Sequence, residues 1–215
     1  MSGKILIYGT ITSPYVNRVI LACKKKQLDY VLSMPEGGAK SPTITSINPL
    51  GKIPTIKDGR TVLFESGVIL EYLDMKYTRP RLISQSIAMA SKTRLISAMW
   101  ENYVITMLIR LFVQCINKNP DKVIIDDSKQ KLECGLNALN SFVQPSNYAS
   151  GKSFSLADCY GVSALIFLER VSVMLGDTKL LNKKPNLQKY WRKIKKDKSV
   201  AELLTEIKVA ALTTK

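Results

Sequence analysis

The chain has 215 residues, enough for one large domain or two small ones, each with its own hydrophobic core. It carries 32 lysines and arginines, 17 aspartates and glutamates and no histidine, for a formal net charge of +15 at pH 7. The absence of histidine argues against a zinc site and removes the commonest general base. No apolar run approaches the roughly 18 residues that a membrane span needs.

The first part of the chain predicts a small α/β domain. Lys4–Tyr8 is a continuous apolar run typical of a buried strand, and Ser13-Pro14 opens a helix that runs to about Gln27. A second strand is expected over Val31–Met34, so that strand, helix and strand form a parallel βαβ unit. The composition of Pro35–Pro42 predicts an irregular loop.

A hairpin and a third helix follow. Asp58-Gly59 between the runs Pro54–Lys57 and Thr61–Phe64 is a strong hairpin signal, because both turn residues tolerate positive φ. Glu65-Ser66 comes where the second strand of the hairpin stops, and Ser66 can cap the helix that follows. Ile53-Pro54 precedes a strand, and a cis bond there would turn the Ile53 N–H and C=O outward, available to a peptide-like ligand.

The remainder of the chain has a helical pattern. Residues 79–86 are expected to form a linker between a domain over residues 1–78 and an all-α domain over residues 87–215. The helices are expected at Ala88–Lys118, Asp126–Val143, Leu156–Gly176, 186–197 and 199–210. Ser155-Leu156-Ala157-Asp158 is a capping-box pattern at the start of the most apolar of them.

The cysteines indicate a cellular compartment. Cys23, Cys115, Cys134 and Cys159 are far apart and form no Cys-x-x-Cys pair. Free thiols and the lack of an export signal at the start of the chain predict a reducing, cytoplasmic location. Cys23 falls on the apolar side of the first predicted helix, as expected of a small buried residue rather than of a nucleophile.

The densest charge lies in Lys183–Lys198, which holds eight basic residues against Asp197 alone. Such a run can bind nucleic acid or acidic partners. The alternative is an ordinary helix whose lysines face solvent, because apolar residues recur there at helical spacing. That spacing is set by Leu187, Tyr190, Trp191 and Ile194. No aromatic residues are interleaved with the basic ones as platforms for stacking bases.

The motifs around the predicted hairpin resemble the glutathione-binding half of cytosolic glutathione transferases. They are Asn48–Ile56, then Phe64-Glu65-Ser66-Gly67, and a helix that ends in Glu71-Tyr72-Leu73. The similarity extends to Ser13-Pro14-Tyr15 upstream and to Phe154–Asp158 downstream. It implies a bacterial, serine-type member and a homodimer. The implied fold is a thioredoxin-like βαβ-ββα domain, here without the redox Cys-x-x-Cys, followed by an all-α domain.

The resemblance implies that glutathione is bound as a substrate, with no metal and no tightly bound cofactor. Ser13 would activate the glutathione thiol, because a hydroxyl donor at a helix N-terminus stabilises a thiolate. The alternative is that Ser13 only caps its helix. Thr10, Thr12 and Tyr8 are other hydroxyls that could take the role.

The resemblance also implies how the peptide is held. Glu65 would bind the α-amino group of glutathione and Ser66 its α-carboxylate, unless both serve only to cap the helix. Ile53, before Pro54, would pair its backbone with the cysteinyl moiety.

Two further groups of contacts complete the expected site. Lys52 and Lys40 would meet the glycine carboxylate of glutathione, unless they are ordinary surface lysines. A pocket for the second substrate is expected between the two domains, and the same residues at this spacing are also typical of plain core. The candidates for that pocket are Tyr15, Met99, Trp100, Tyr103 and Met107.

The function implied is transfer of glutathione to a small apolar electrophile, with no membrane partner. A different class remains open, a non-catalytic protein of the same fold that binds a macromolecule. The stringent-starvation proteins, which associate with RNA polymerase, are an example, and Arg79-Pro80-Arg81 would be an interaction point. A third alternative is isomerase or peroxidase chemistry that uses the same thiolate.

Overall fold

The computed structural model describes residues 4–143 and 148–213. The chain divides into two compact units. The N-terminal unit contains the chain up to Leu82 together with the residues from Lys198 onward, and the helical unit is Ile83–Asp197. The change of unit falls inside the segment 79–86 that the sequence indicates as a linker.

A four-stranded mixed sheet forms the centre of the N-terminal unit. The strands are β1 (Ile5–Tyr8), β2 (Tyr30–Ser33), β3 (Thr55–Asp58) and β4 (Thr61–Phe64), in the spatial order β2-β1-β3-β4. β1 is parallel to β2 and antiparallel to β3, and β3 and β4 form the predicted hairpin. Thr55 lies opposite both Tyr8 and Phe64. β1 and β4 therefore end at the edge of the sheet where β3 begins.

Four helices accompany this sheet: α1 (Pro14–Lys25), α2 (Pro42–Thr45), α3 (Ser66–Lys76) and α9 (Lys198–Thr213). The sequence did not predict α2, which follows a single 3₁₀ turn at Gly38–Lys40 within the expected irregular loop. Ser41 caps α2 by accepting a hydrogen bond from the Ile44 N–H at 3.4 Å, and Pro42 occupies the first helical position. The chain between β2 and β3 is therefore more regular than its composition indicates.

The last helix groups with the N-terminal unit by its contacts, whereas the sequence analysis placed it with residues 87–215. α9 packs on α1. The Lys24 ammonium of α1 donates to Glu206 at 2.7 Å and lies 3.8 Å from Glu202. Helical periodicity predicts that α9 has a face to bury, but it does not say which helix covers that face.

A buried ion pair joins the end of α1 to α3 and to the segment that follows α3. The Lys26 ammonium donates to Asp74 at 2.6 Å, and also to the backbone carbonyls of Tyr77 at 2.6 Å and Pro80 at 2.8 Å. The same Asp74 oxygen accepts the Leu82 N–H at 2.6 Å. Each charge is thus paired and hydrogen-bonded, which is what the burial of a charge requires.

The helical unit contains α4 (Ile87–Trp100), α5 (Thr106–Ile116), α6 (Lys122–Phe142), α7 (Leu156–Met174) and α8 (Pro185–Ile194). A π-helical turn at Glu101–Ile105 joins α4 to α5, so the predicted long helix is continuous. α6 begins before its predicted start, because Asp121 accepts from the N–H groups of Val123 and Ile124 at 2.8 and 3.3 Å. A mixed sheet followed by helices confirms the predicted fold class.

Contrary to the expectation from apolar runs in the sequence, the continuous helix over residues 87–116 is long and apolar enough to cross a membrane by length and composition alone. The helical core of a water-soluble unit passes the same test. Trp100, Leu108 and Leu111 on this helix are fully buried, and the helix packs on α6 and α7. Packing within the helical unit therefore accounts for much of its apolar character.

A buried carboxylate holds the start of α7. Asp158 is inaccessible to solvent and accepts four hydrogen bonds. The donors are the Ala149 N–H at 2.8 Å, the Ser155 N–H and hydroxyl at 2.8 and 2.9 Å, and the Tyr190 hydroxyl at 3.0 Å. Burial raises the pKa of Asp158 to about 6, and these hydrogen bonds oppose the rise. The predicted capping box is confirmed and is tied to α8 as well.

We expect Asp158→Asn to reveal this pKa through stability. The folded-state pKa of Asp158 lies above its unfolded value, so its contribution to stability is full below the unfolded pKa and is lost as the pH rises through about 6. Asparagine does not titrate. The gap in unfolding free energy between wild type and variant should therefore narrow by about 2 kcal/mol between about pH 4.5 and 7.5. Urea denaturation across that range measures it.

Asp58→Asn serves as the control. Burial favours the neutral acid, but hydrogen bonds from Lys76, Tyr77 and Tyr72 outweigh it and lower the pKa of Asp58. Asp58 thus stays ionised throughout the same pH range. The difference in unfolding free energy between wild type and Asp58→Asn should therefore not narrow. A gap for Asp158→Asn that is constant with pH would show that the carboxyl is not protonated near pH 6.

Candidate functional site

Three chain segments meet at one edge of the sheet. The loop that leads into α1 follows β1, the start of α3 follows β4, and Ile53-Pro54 immediately precedes β3. The register places the last residue of β1, the first of β3 and the last of β4 side by side. Because α1 and α3 both begin there, the edge carries the partial positive charge of two helix N-termini. Such an edge suits an anionic ligand.

Ser13 caps α1, as its sequence context predicts. Its hydroxyl oxygen accepts a hydrogen bond from the Val16 N–H at 3.4 Å, and Pro14 takes the first helical position. The residue is half-buried. A hydroxyl that accepts the N–H with a lone pair keeps its own hydrogen to donate. Capping and donation to a ligand are therefore compatible at this oxygen.

The neighbouring hydroxyls are arranged differently. Thr10 and Thr12 are hydrogen-bonded to each other at 3.0 Å between their hydroxyl oxygens, with Thr12 exposed. Tyr8 is the last residue of β1 and is half-buried. Gly9 brings the chain close to α1, since a Cβ there would lie 2.5 Å from Val16. Of these hydroxyls, that of Ser13 is the one placed at the helix start.

The Ile53–Pro54 peptide bond is cis, and the loop around it is fixed by Asn48. Asn48 is fully buried and donates to the Lys52 carbonyl at 3.0 Å and to the Thr55 hydroxyl at 2.9 Å. Its side-chain oxygen accepts the Leu50 N–H at 3.1 Å. One side chain thus holds the loop on both sides of Ile53. Across the residues that the structure describes, the Ile53 backbone takes part in none of the loop and turn hydrogen bonds.

Lys40 closes the other side of this loop. Its ammonium donates to the Leu50 carbonyl at 3.0 Å, and the side chain covers Gly51. Gly51 has φ of +55°, a conformation that glycine adopts without the strain that a side chain would bring. Lys52 is exposed. Both lysines predicted to bind a carboxylate therefore lie at the same loop as Ile53.

Glu65 and Ser66 form the start of α3. Glu65 has φ of +67°, an uncommon conformation for a residue with a side chain, and its carboxylate is exposed and makes no capping hydrogen bond. Ser66 is buried at the first helical position. Backbone strain of this kind is typical of functional sites. Glu65, not Ser66, holds the N-cap position of α3 and its side chain makes no capping hydrogen bond, so the prediction that Ser66 caps this helix is wrong.

The hairpin is anchored to α3 by Asp58. One carboxylate oxygen of Asp58 accepts from Lys76 at 2.7 Å, Tyr77 at 2.9 Å and Tyr72 at 3.0 Å. The hydrogen bond to Asp58 is the main cause that raises the pKa of Lys76. Because β3, β4 and α3 are joined here, the start of α3 is held against the same sheet edge as the loop before β3.

The candidates for a second-substrate pocket differ in exposure. Tyr15 on α1 is half-buried beneath the Arg18 guanidinium, which lies 4.9 Å from the ring centroid. In the helical unit, Tyr103 is 57% exposed, whereas Met99 and Met107 are buried. Trp100 is fully enclosed against Gly161 of α7 and is a core residue of that unit, which argues against a role in a pocket. The pocket itself stays a prediction.

The thiols and the metal-ligating residues offer no competing site. None of the four cysteines forms a disulfide, and burial raises the pKa of Cys23 to about 12, as expected of an inert core thiol. Within residues 4–143 and 148–213, no three His, Cys, Asp or Glu side chains are grouped as metal ligands.

Asn48 and Thr55 are the residues of this site that the sequence analysis did not single out as contributors. Both act by shaping the loop rather than by facing a ligand. The signal for Asn48 was present, because Asn before Pro favours a local turn that its side chain stabilises. Nothing in the sequence indicates that Asn48 also bonds across seven residues to Thr55.

Comparison with known proteins finds similar sequences of one family. Residues 7–81 match the family model described as glutathione S-transferase, N-terminal domain. A glutathione S-transferase from Hyoscyamus muticus is 29% identical over 75% of this chain and 81% of its own length. A stringent starvation protein A homolog from Haemophilus ducreyi is also 29% identical, over 68% of this chain and 66% of its own.

Solved structures agree with the sequence relatives. The apo structure of glutathione S-transferase III superposes with a TM-score of 0.80 at 25% identity, over 94% of this chain and 96% of its own. The similarity therefore extends beyond the residues that the family model matches and includes the helical unit.

We expect Asn48→Ala to lower the free energy of unfolding by about 3 kcal/mol, because three hydrogen bonds of a buried side chain are lost. Guanidinium denaturation measures the change. Asn137→Ala is the matched control, since Asn137 is exposed and should shift stability by no more than about 0.5 kcal/mol. Equal effects of the two substitutions would contradict the role given to Asn48.

Proposed function

We propose that the chain is a serine-type glutathione transferase, because residues 7–81 match the N-terminal domain model of that family and the similar sequences and structures include glutathione S-transferases. One observation carries the proposal. Three features meet at one sheet edge. The start of α1 is capped by Ser13, whose hydroxyl hydrogen remains to donate. The loop before β3 presents the Ile53 backbone, and the strained start of α3 presents the exposed carboxylate of Glu65. Free cysteines are in keeping with a cytoplasmic location.

Glutathione fits the three segments by charge and by hydrogen-bonding type. The Glu65 carboxylate would pair with the α-amino group of the γ-glutamyl end. The α-carboxylate would lie at the start of α3, where the Ser66 hydroxyl and N–H groups donate. The cysteinyl moiety would pair with the Ile53 backbone next to Pro54, in the manner of an added strand.

The glycine carboxylate of glutathione would then reach the two lysines of the loop. Lys52 is exposed, and the Lys40 ammonium keeps donors beyond the one that it gives to the Leu50 carbonyl. The strongly positive net charge also favours an anionic substrate through the overall field.

Ser13 would lower the pKa of the bound thiol. A thiol of this type titrates near about 8.5, and the thiolate is the nucleophile. The Ser13 hydroxyl hydrogen would point to the sulfur, because the oxygen's lone pair is engaged by the Val16 N–H. The thiolate then attacks an electrophilic carbon, and the leaving group departs with the bonding electrons or the adduct takes a proton.

For the electrophile we propose a small apolar compound. Tyr15 and Tyr103 are the candidates whose rings remain partly open to solvent, and Met107 and Met99 are polarisable residues that suit a tolerant site. Isomerase or peroxidase chemistry would use the same thiolate. A homodimer is part of the proposal as a family property.

A non-catalytic role has one specific observation in its favour. The stringent starvation protein A homolog is as similar to this chain as the transferase from Hyoscyamus muticus is. A protein of that kind need not bind glutathione, so a direct binding measurement separates the two functions.

We expect wild type to bind glutathione by isothermal calorimetry, and Glu65→Ala/Ser66→Ala to lose that binding by at least about 10-fold, because both ends of the γ-glutamyl group lose a charged or polar partner. Glu71→Ala/Ser86→Ala is a control, since both residues lie away from the start of α3. No binding at millimolar glutathione would overturn the transferase function.

We expect Ser13→Ala to return the pKa of bound glutathione to near 8.5 and to lower kcat/KM about 100-fold, because one hydroxyl that stabilises the thiolate is lost. Ultraviolet difference spectra against pH measure the thiolate, and a chromogenic aryl halide measures turnover. Ser13→Thr keeps the hydroxyl and should retain most of both effects. An unchanged thiol pKa in Ser13→Ala would assign activation to Thr10, Thr12 or Tyr8.

A further inference from the structure

A row of cations on α8 takes no part in the proposed reaction. Lys189, Arg192 and Lys193 follow at spacings of three and four residues on one side of the helix, and all are exposed. Lys196 continues the row in the next turn, where its N–H donates to the Lys193 carbonyl at 3.0 Å. We call these four residues the α8 basic row. By helix rise it extends over about 10 Å.

The carboxylates beside α8 are engaged by other residues. Glu169 accepts from the Trp191 indole N–H at 2.6 Å and lies 3.8 Å from Lys195. Glu133 accepts from the buried Lys184 at 2.6 Å. Neither glutamate pairs with the basic row, and Asp197, which follows the row in the chain, accepts from the Tyr148 hydroxyl at 3.4 Å.

Three of the four cations in the row have no carboxylate partner among the described residues. Lys189, Arg192 and Lys196 form no ion pair with the residues that the structure describes. Lys193 lies 5.7 Å from the centroid of the Tyr148 ring. Like charges held on one side of a helix repel each other, and a polyanion would remove that repulsion.

The other side of α8 narrows the choice of polyanion. Its apolar residues are all in the core, with at most 4% of any side chain exposed. They are Leu187, Tyr190, Trp191 and Ile194. An interfacial membrane helix needs such residues free to enter the lipid, and single-stranded nucleic acid needs exposed aromatic rings for stacking. What α8 offers is charge alone, on a convex helix surface.

Duplex nucleic acid meets that description, because it presents regularly spaced phosphates on a rigid rod. B-DNA carries one charge per about 1.7 Å of helix axis, so several phosphates lie within the length of the row. We propose that the α8 basic row binds the phosphate backbone of double-stranded nucleic acid without reading its bases. This interaction is separate from the glutathione site and does not depend on it.

Fluorescence anisotropy with a labelled 20-base-pair duplex of random sequence tests the proposal. If four phosphates are neutralised, the association constant of wild type should fall about 150-fold between 50 and 200 mM salt. Lys189→Gln/Arg192→Gln/Lys196→Gln leaves only Lys193 in the row. Its association constant should be weaker at 50 mM salt and should fall only about 3-fold over the same range.

A control variant with the same change in net charge separates the effect of the α8 basic row on binding from the effect of the overall charge. Lys118→Gln/Lys122→Gln/Lys208→Gln removes three exposed lysines elsewhere and should keep the wild-type salt dependence. An equal loss in both variants would assign binding to the overall charge and overturn the proposal. So would no binding of wild type at micromolar protein in 50 mM salt.

Two further probes identify other partners. Phosphatidylserine vesicles and poly-glutamate are titrated under the same conditions. Row-dependent binding that is tighter to either probe than to the duplex would overturn the choice of nucleic acid. The triple variant of the row should bind glutathione like wild type, so that failure here is distinguishable from failure of the transferase function.

Discussion

The loop before β3 depends on one buried amide. Asn48 is fully enclosed, and its side chain uses both donor hydrogens and its oxygen within the segment that it stabilises. A buried amide left unpaired would cost more than its hydrogen bonds contribute, so the loop has one low-energy arrangement. That arrangement places the Ile53 backbone at the sheet edge. In the proposed function, the two helix starts would serve a peptide ligand because this backbone lies beside them.

Buried carboxylates organise the rest of the chain in a similar way. Asp58 joins the hairpin to α3, Asp74 joins α1 to the segment that leaves α3, and Asp158 joins the start of α7 to α8. Each accepts from several donors, so each charge is stabilised by directed hydrogen bonds rather than by solvent. The environments have opposite effects on two of these carboxyl groups. The pKa of Asp58 is lowered and the pKa of Asp158 is raised.

Local patterns in the sequence were sufficient where the cause is local. The Asp58-Gly59 hairpin, the Ser13 cap and the capping box before α7 each depend on a few neighbouring residues, and the structure has all three. Ser41-Pro42 repeats the Ser13-Pro14 signature and starts α2, yet its Gly- and Ser-rich surroundings predicted a loop. Contacts between distant residues could not be predicted. Lys26 with Asp74 and Lys24 with Glu206 are examples, because periodicity gives a face but no partner.

The place of α9 has a consequence for how the chain is made. The N-terminal unit is discontinuous, since its last helix is synthesised after the whole helical unit. While the ribosome produces the helical unit, the surface of α1 that receives α9 stays uncovered, and Lys24 lacks its partner Glu206. Domains that fold during synthesis normally proceed from the N-terminus. Here the first unit to emerge is completed only after all of the second unit has been synthesised and can already have folded.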